Sequence, residues 1–197
     1  MPDTALTITE SSARGIVQLK SWVPEVKGAA MMPSLLPPHL KQGAQLLALG
    51  FNDWWIVAAA LSRQEVLDDV RHHLEGRGMA VTDMSSAFRA LRIEGSYSRG
   101  LLAKGCGVNL DPWHFPGGHC TRTRFAQLPV ALHCLDSGSR FDLYVARSHF
   151  TYLHRWLIDA AAEFHGDSTA SQDLKEAVRI YSEESQLYRT YKRKRSS

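Results

Sequence analysis

No apolar run in the 197-residue chain approaches the ~20 residues that cross a bilayer as a helix. The amino terminus, MPDTALTITESS, has neither the basic stretch nor the apolar core of a secretory leader. Cysteine is scarce and odd in number: Cys106, Cys120 and Cys134 occur in a chain long enough to need no staples. That pattern favours free thiols in a reducing compartment. Together these shortages predict a soluble, cytoplasmic protein with no membrane segment.

Basic charge is also scarcer than the net value of +3 suggests. Arg189, Lys192, Arg193, Lys194 and Arg195 supply five positive charges at the carboxyl end, which leaves 18 basic against 20 acidic residues in the rest. The body is therefore near neutral, and it lacks the broad basic patch of a nucleic-acid-binding domain. A short basic tail is read as a solvated end that can meet an acidic surface.

The signatures of chemistry are missing in turn. Cys106, His114, His119, Cys120, His133 and Cys134 crowd the middle of the chain, but no Cys-x-x-Cys or His-x-x-x-His occurs. Structural zinc sites take ligand pairs two to four residues apart. His119-Cys120 and His133-Cys134 are adjacent pairs, which a strand would send to opposite faces. The reading is buried cysteines and surface histidines. There is no Gly-x-Ser-x-Gly elbow. Gly105-Cys106-Gly107 and Pro116-Gly117-Gly118 read as turns, since neither lies between a strand and a helix as a phosphate loop must. Asp83 and Asp111 sit beside turn residues and suit Asx-turn or capping roles. No catalytic, cofactor-binding or metal-binding residue is assigned in this chain.

What is present is a foldable pattern. At 44% apolar and 22% charged residues, the chain can bury one good core or two closely packed layers. Residues 15–23 read as a strand and 26–41 as an irregular surface connection, because Pro37-Pro38 cannot donate to a ladder. Residues 45–60 read as a hairpin turning near Gly50 to Asp53, with Trp54 and Trp55 on opposite faces of the returning strand. Ser62 and Glu65 have capping-box spacing, and Val66, Leu67, Val70 and Leu74 follow on one helical face until Gly76 and Gly78.

Residues 87–94 read as a strand with Arg89 and Arg92 reaching water, followed by a short helix capped by Ser96, carrying Leu101 and Leu102 and ended by Gly105. Three strands are expected over 121–126, 130–135 and 141–146, then a helix capped by Ser148 with a stripe of Phe150, Leu153, Leu157, Ala160 or Ala161, and Phe164. Trp113, Phe115, Tyr152 and Trp156 fill a core or an interface. The fold class is α+β, with helices packed on one face of antiparallel sheet. Residues 1–166 form the domain, and 167–197 a helical extension, starting at a capping signal near Thr169 and ending in the basic tail.

Three blocks in order carry a resemblance: VTDMSSAFRALRIEG, then LLAKGCGVNLDPWHFPGGHCTRTRFAQLPV, then VARSHFTYLHRWLIDAAAEF. Among the residues that carry it are Thr82, Asp83, Ser85, Arg92, Gly95, Gly105, Cys106, Pro112, Phe115, Gly118, Arg147 and Trp156. From about Ala80 to Gly166 the chain resembles the gamma-subunit family of heterotetrameric sarcosine oxidases. The resemblance implies a fold similar to the folate-binding domain of aminomethyltransferases without its catalytic equipment. It implies alpha, beta and delta partner subunits that carry FAD, FMN, NAD, tetrahydrofolate and zinc, while the gamma subunit is non-catalytic. The implied reaction of the assembly is oxidative demethylation of sarcosine to glycine, with the one-carbon unit passed to tetrahydrofolate. Assemblies acting on other N-methyl amino acids contain similar subunits. The alternative is a stand-alone folate-binding or aminomethyltransferase-like protein.

Overall fold

The structure is a computed structural model that describes residues 6–11, 15–22, 35–59, 62–136 and 139–164. Nine strands form two antiparallel sheets among these residues. The first sheet holds β2 (Gly15–Ser21), β3 (Ala44–Gly50), β4 (Asp53–Ala58) and β5 (Met79–Asp83) in the order β3-β4-β2-β5. The second holds β1 (Thr7–Glu10), β6 (Phe88–Glu94), β7 (Cys120–Phe125), β8 (Leu128–Cys134) and β9 (Arg140–Ala146) in the order β1-β6-β9-β8-β7.

The sheets pack face to face through Ile16, Leu47, Leu49, Trp55, Val57, Ala90, Ala131 and Tyr144, which form one buried cluster drawn from both. Helix α1 (Arg63–His73) covers the outer face of the four-stranded sheet, and α2 (Ser98–Gly105) and α3 (Phe150–Ala161) cover the outer face of the other. The α+β expectation is met as four layers: each sheet has helix on one face and its fellow sheet on the other.

The hairpin forms where the sequence places it. Phe51 and Asn52 make the turn, with Asn52 at φ 54°, a left-handed conformation that asparagine tolerates better than most residues. Trp54 then joins the core under α1, and Trp55 joins the core between the sheets. Helix α1 opens on a complete capping box: Ser62 Oγ accepts from the Glu65 N–H at 3.2 Å, and Glu65 Oε2 accepts from the Ser62 N–H at 3.2 Å. Gly76 and Gly78, at φ +73° and +65°, turn the chain away from it.

Four sequence expectations change. Residues 35–42 are not a surface connection: Leu35, Leu36 and Leu40 are buried under the four-stranded sheet, and the Pro37-Pro38 pair leads into a 3-10 turn over Pro38–Gln42. Ser96 and Ser148 do not cap their helices. The cap positions are Tyr97 and His149, with no side-chain cap at either, because α3 is entered through a 3-10 turn, Arg147–His149, that contains Ser148. Arg92 does not simply reach water, since the second sheet is covered on both faces and Arg92 points between the sheets. His133 is not a surface histidine, being 4% exposed on β8. The helix expected after Thr169 and the basic tail lie outside the described residues.

Candidate functional site

The polar side chains that the fold buries together lie at the mouth of the sheet–sheet layer, where a cleft of about 380 Å³ opens between Lys41, Gln45 and Val57 on one side and Arg92, Asp142 and Tyr144 on the other. Arg92 on β6 and Asp142 on β9 are cross-strand partners in register. Their side chains meet as a fork, Arg92 Nε donating to Oδ1 at 2.8 Å and Nη2 to Oδ2 at 2.9 Å. Ser11 Oγ and Tyr144 OH each donate to Oδ2 at 3.3 Å. Asp142 is 2% exposed. A carboxylate so deep is tolerable only because a fixed cation and two hydroxyl donors replace the water it has lost.

The same contacts decide what the cluster can do. Hydrogen bonding to Asp142 holds the Arg92 guanidinium above its usual range despite burial, so its charge is permanent. Burial, reinforced by the Asp142 charge, pushes the Tyr144 phenol well above 10. His133, the cross-strand neighbour of Asp142 on β8, is pushed down by burial and by Arg92, with Asp142 opposing, and its Nδ1 has no hydrogen-bond partner among the described residues. The cleft thus presents a committed ion pair and a protonated phenol, while His133, buried on β8, lies outside its lining. Proton transfer at neutral pH calls for a group poised near that pH with a free lone pair aimed at the reactant. Asp142 is already engaged on both oxygens.

The residues singled out from the sequence are dispersed. Cys120 Sγ donates to the Ala48 carbonyl across the sheets at 3.3 Å, and Cys134 Sγ donates to the Asp136 carbonyl at 3.0 Å. Burial raises the pKa of all three thiols, the opposite of what a nucleophilic cysteine requires. His114 and His119 are exposed on the loop between α2 and β7. Among the described residues no three His, Cys, Asp or Glu side chains are grouped as a metal site.

Asp83 and Asp111 have the turn roles expected of them. Asp83 Oδ1 accepts from the Ser85 N–H at 2.9 Å and its other oxygen pairs with Arg63. Burial pushes the Asp83 carboxyl up, but the Ser85 bonds and Arg63 outweigh it and hold it below its ordinary value. Asp111 Oδ1 accepts from the Trp113 N–H at 2.9 Å. Phe115 is buried and Trp156 packs edge-on against Phe125 at 5.1 Å, as core or interface aromatics should. Trp113 and Tyr152 instead face outward.

Sequence reasoning missed the cluster around Asp142. An aspartate flanked by Phe141 and Leu143 in a β-branched and aromatic strand was the available signal, because a charge inside such a run needs a partner. The partner, Arg92, lies 50 residues away.

Among curated proteins, none matches this chain. The sequence profile of the sarcosine oxidase, gamma subunit family matches residues 39–163. Among solved structures, a chain of the heterotetrameric sarcosine oxidase from Corynebacterium sp. U-96, in complex with pyrrole 2-carboxylate, is similar with a TM-score of 0.69 and 25% identity. That match covers 86% of this chain and 90% of that one. The glycine cleavage system aminomethyltransferase T from Bartonella henselae is similar in fold, with a TM-score of 0.56 at 11% identity over 78% of this chain and 45% of that chain. A profile spanning most of the described fold, and an overlay that accounts for nearly the whole of an oxidase chain, agree on one conclusion: this chain belongs to the sarcosine oxidase gamma subunit family.

Proposed function

We propose that the chain works as the structural, non-catalytic gamma subunit of a sarcosine oxidase-type complex, beside alpha, beta and delta subunits. In this reading, the complex demethylates sarcosine oxidatively to glycine in the cytoplasm and passes the one-carbon unit to tetrahydrofolate. FAD, FMN, NAD, tetrahydrofolate and zinc are held by the partner subunits, and no residue of this chain touches substrate or cofactor. Residues 1–166 form the subunit's folded body, with 167–197 as its extension. The observation that carries the reading is the family match over residues 39–163. The saturated Asp142 cluster supports the non-catalytic part, because both oxygens of the one carboxylate that lines the cleft are already occupied by the chain's own donors.

Co-production of the four subunits with an affinity tag on the beta subunit tests it. The expected result is co-elution of this chain with the tagged subunit in constant proportion through gel filtration. If the other three assemble and turn over sarcosine while this chain elutes alone, the proposal fails.

A further inference from the structure

The loop between α2 and β7 combines an exposed apolar tip with a tightly held backbone. Its tip carries Trp113 at 92% exposure, and its backbone is pinned on every side. Arg99 of α2 reaches across and donates to the carbonyls of both Leu110 and Phe115, bracketing the turn that bears the indole, the second bond at 3.1 Å. Inside the bracket, the Asp111 carbonyl accepts from the His114 and Phe115 N–H groups at 2.9 and 2.8 Å, and its carboxylate accepts from the Trp113 N–H at 2.9 Å. Asn109 Oδ1 accepts from the Asp111 N–H at 3.0 Å.

Leu110 and Phe115, on either side, are both driven into the core under α2 and α3. At the far end Gly118 N–H donates to the Cys134 carbonyl at 2.8 Å, and Gly117 lies so close to Asp136 that an added Cβ would stand 2.6 Å from its backbone.

A pinned loop gains nothing for its own stability by holding a tryptophan in water. For association the same arrangement is favourable. Tryptophan is the residue most enriched among interface anchors, and an anchor that is already ordered loses little freedom when it docks. The neighbours at the tip, Asp111, Pro112 and His114, bring no cluster of lysine or arginine, so the tip lacks the charge that draws protein to an anionic membrane.

We infer that Trp113 is the anchor by which this chain binds another subunit of the oxidase, inserting its indole into an apolar pocket of that subunit with an acceptor for Nε1–H. This inference rests on the gamma-subunit reading above. The indole is the contact, and Asp111, Asn109 and Arg99 are positioning residues that keep it erect.

Trp113→Ala and Asp111→Ala, each co-produced with the alpha, beta and delta subunits, test it. The readouts are the dissociation constant of this chain from the assembled partners and its own thermal melt. Trp113→Ala is expected to weaken binding by about 30-fold or more, the range of an interface hot spot, with an unchanged melt. Asp111→Ala, which loosens the loop but keeps the indole, is expected to weaken it by a smaller factor, about three- to tenfold. Wild type entering the complex with Trp113→Ala binding equally well would overturn the inference and leave the gamma-subunit reading intact. Failure of the wild type to bind at all overturns both. Wild-type self-association that Trp113→Ala abolishes, with partner binding unaffected, assigns the anchor to a second copy and also overturns it.

Discussion

Asp142 is held by two bonds from Arg92 and one each from Ser11 and Tyr144, so its removal strands several donors at once. Asp142→Asn turns an acceptor toward Arg92 into a possible donor and leaves the guanidinium without its counter-charge. A loss of about 3 kcal/mol is expected, read as a fall in urea midpoint, because breaking one side of a buried pair leaves the other charge uncompensated. The paired change Arg92→Met with Asp142→Leu is expected to cost less than the two single changes together. Strict additivity would show that the pair is not coupled.

His133 and His154 add a pH dependence. Both are held below their ordinary 6.5, chiefly by burial. In the window between the lowered folded value and 6.5 the unfolded chain takes up protons that the folded chain refuses, so stability falls as pH drops through that window and is unaffected by these groups above it. Urea midpoints between pH 8 and 5 are expected to show this fall, with a shallower slope in His133→Asn. An identical slope in the variant would remove His133 as a source. None of this was legible in the chain order. Arg92 reads as a solvent-facing strand residue until the strand is known to be covered on both sides.

At the scale of elements, the end of α2 shows how closely the parts fit. Gly105 abuts the ring of Phe125, and a Cβ there would sit 2.4 Å from it, while Phe125 is fully buried and its neighbour Cys106 bridges to it. Gly107, two residues on, has open space. Gly105→Ala is therefore expected to cost about 1–3 kcal/mol through overpacking, and Gly107→Ala close to nothing, both measured by chemical denaturation. Equal effects would mean that the ring moves aside freely.

Elements announced by strong local chemistry were readable: the Ser62–Glu65 capping box, the Asn52 turn, the glycines after α1. The β7–β8 turn was not. It runs through Ala126 and Gln127 at φ 47° and 70°, where Asn-Gly would be the recognisable pair, so the hairpin is imposed by its flanking strands rather than by its turn residues. Strands β1 and β5 escaped notice because they are short edges of four and five residues, with little alternation to read.

For the molecule as a whole, the layering was only half visible. Helices on antiparallel sheet could be inferred from the order of patterns, but two sheets pressed together bury both faces of their strands and erase the alternation that tells inside from outside. That is why the placement of Arg92, His133 and Asp142 between the sheets needed coordinates. The functional conclusion was legible earlier than the site, because the three sequence blocks resemble a family while the cluster is assembled from β6, β8, β9 and Ser11, which only the folded chain brings together.

Trp54 and Trp55 are adjacent in sequence yet belong to different cores, one under α1 and one between the sheets. A slip of one residue in β4 would exchange the two indoles and misplace both at once, since each strand position alternates faces. The dipeptide therefore ties the register of β4 to two cores at once: a hairpin misaligned by one residue would lose the burial of an indole on each face of its sheet.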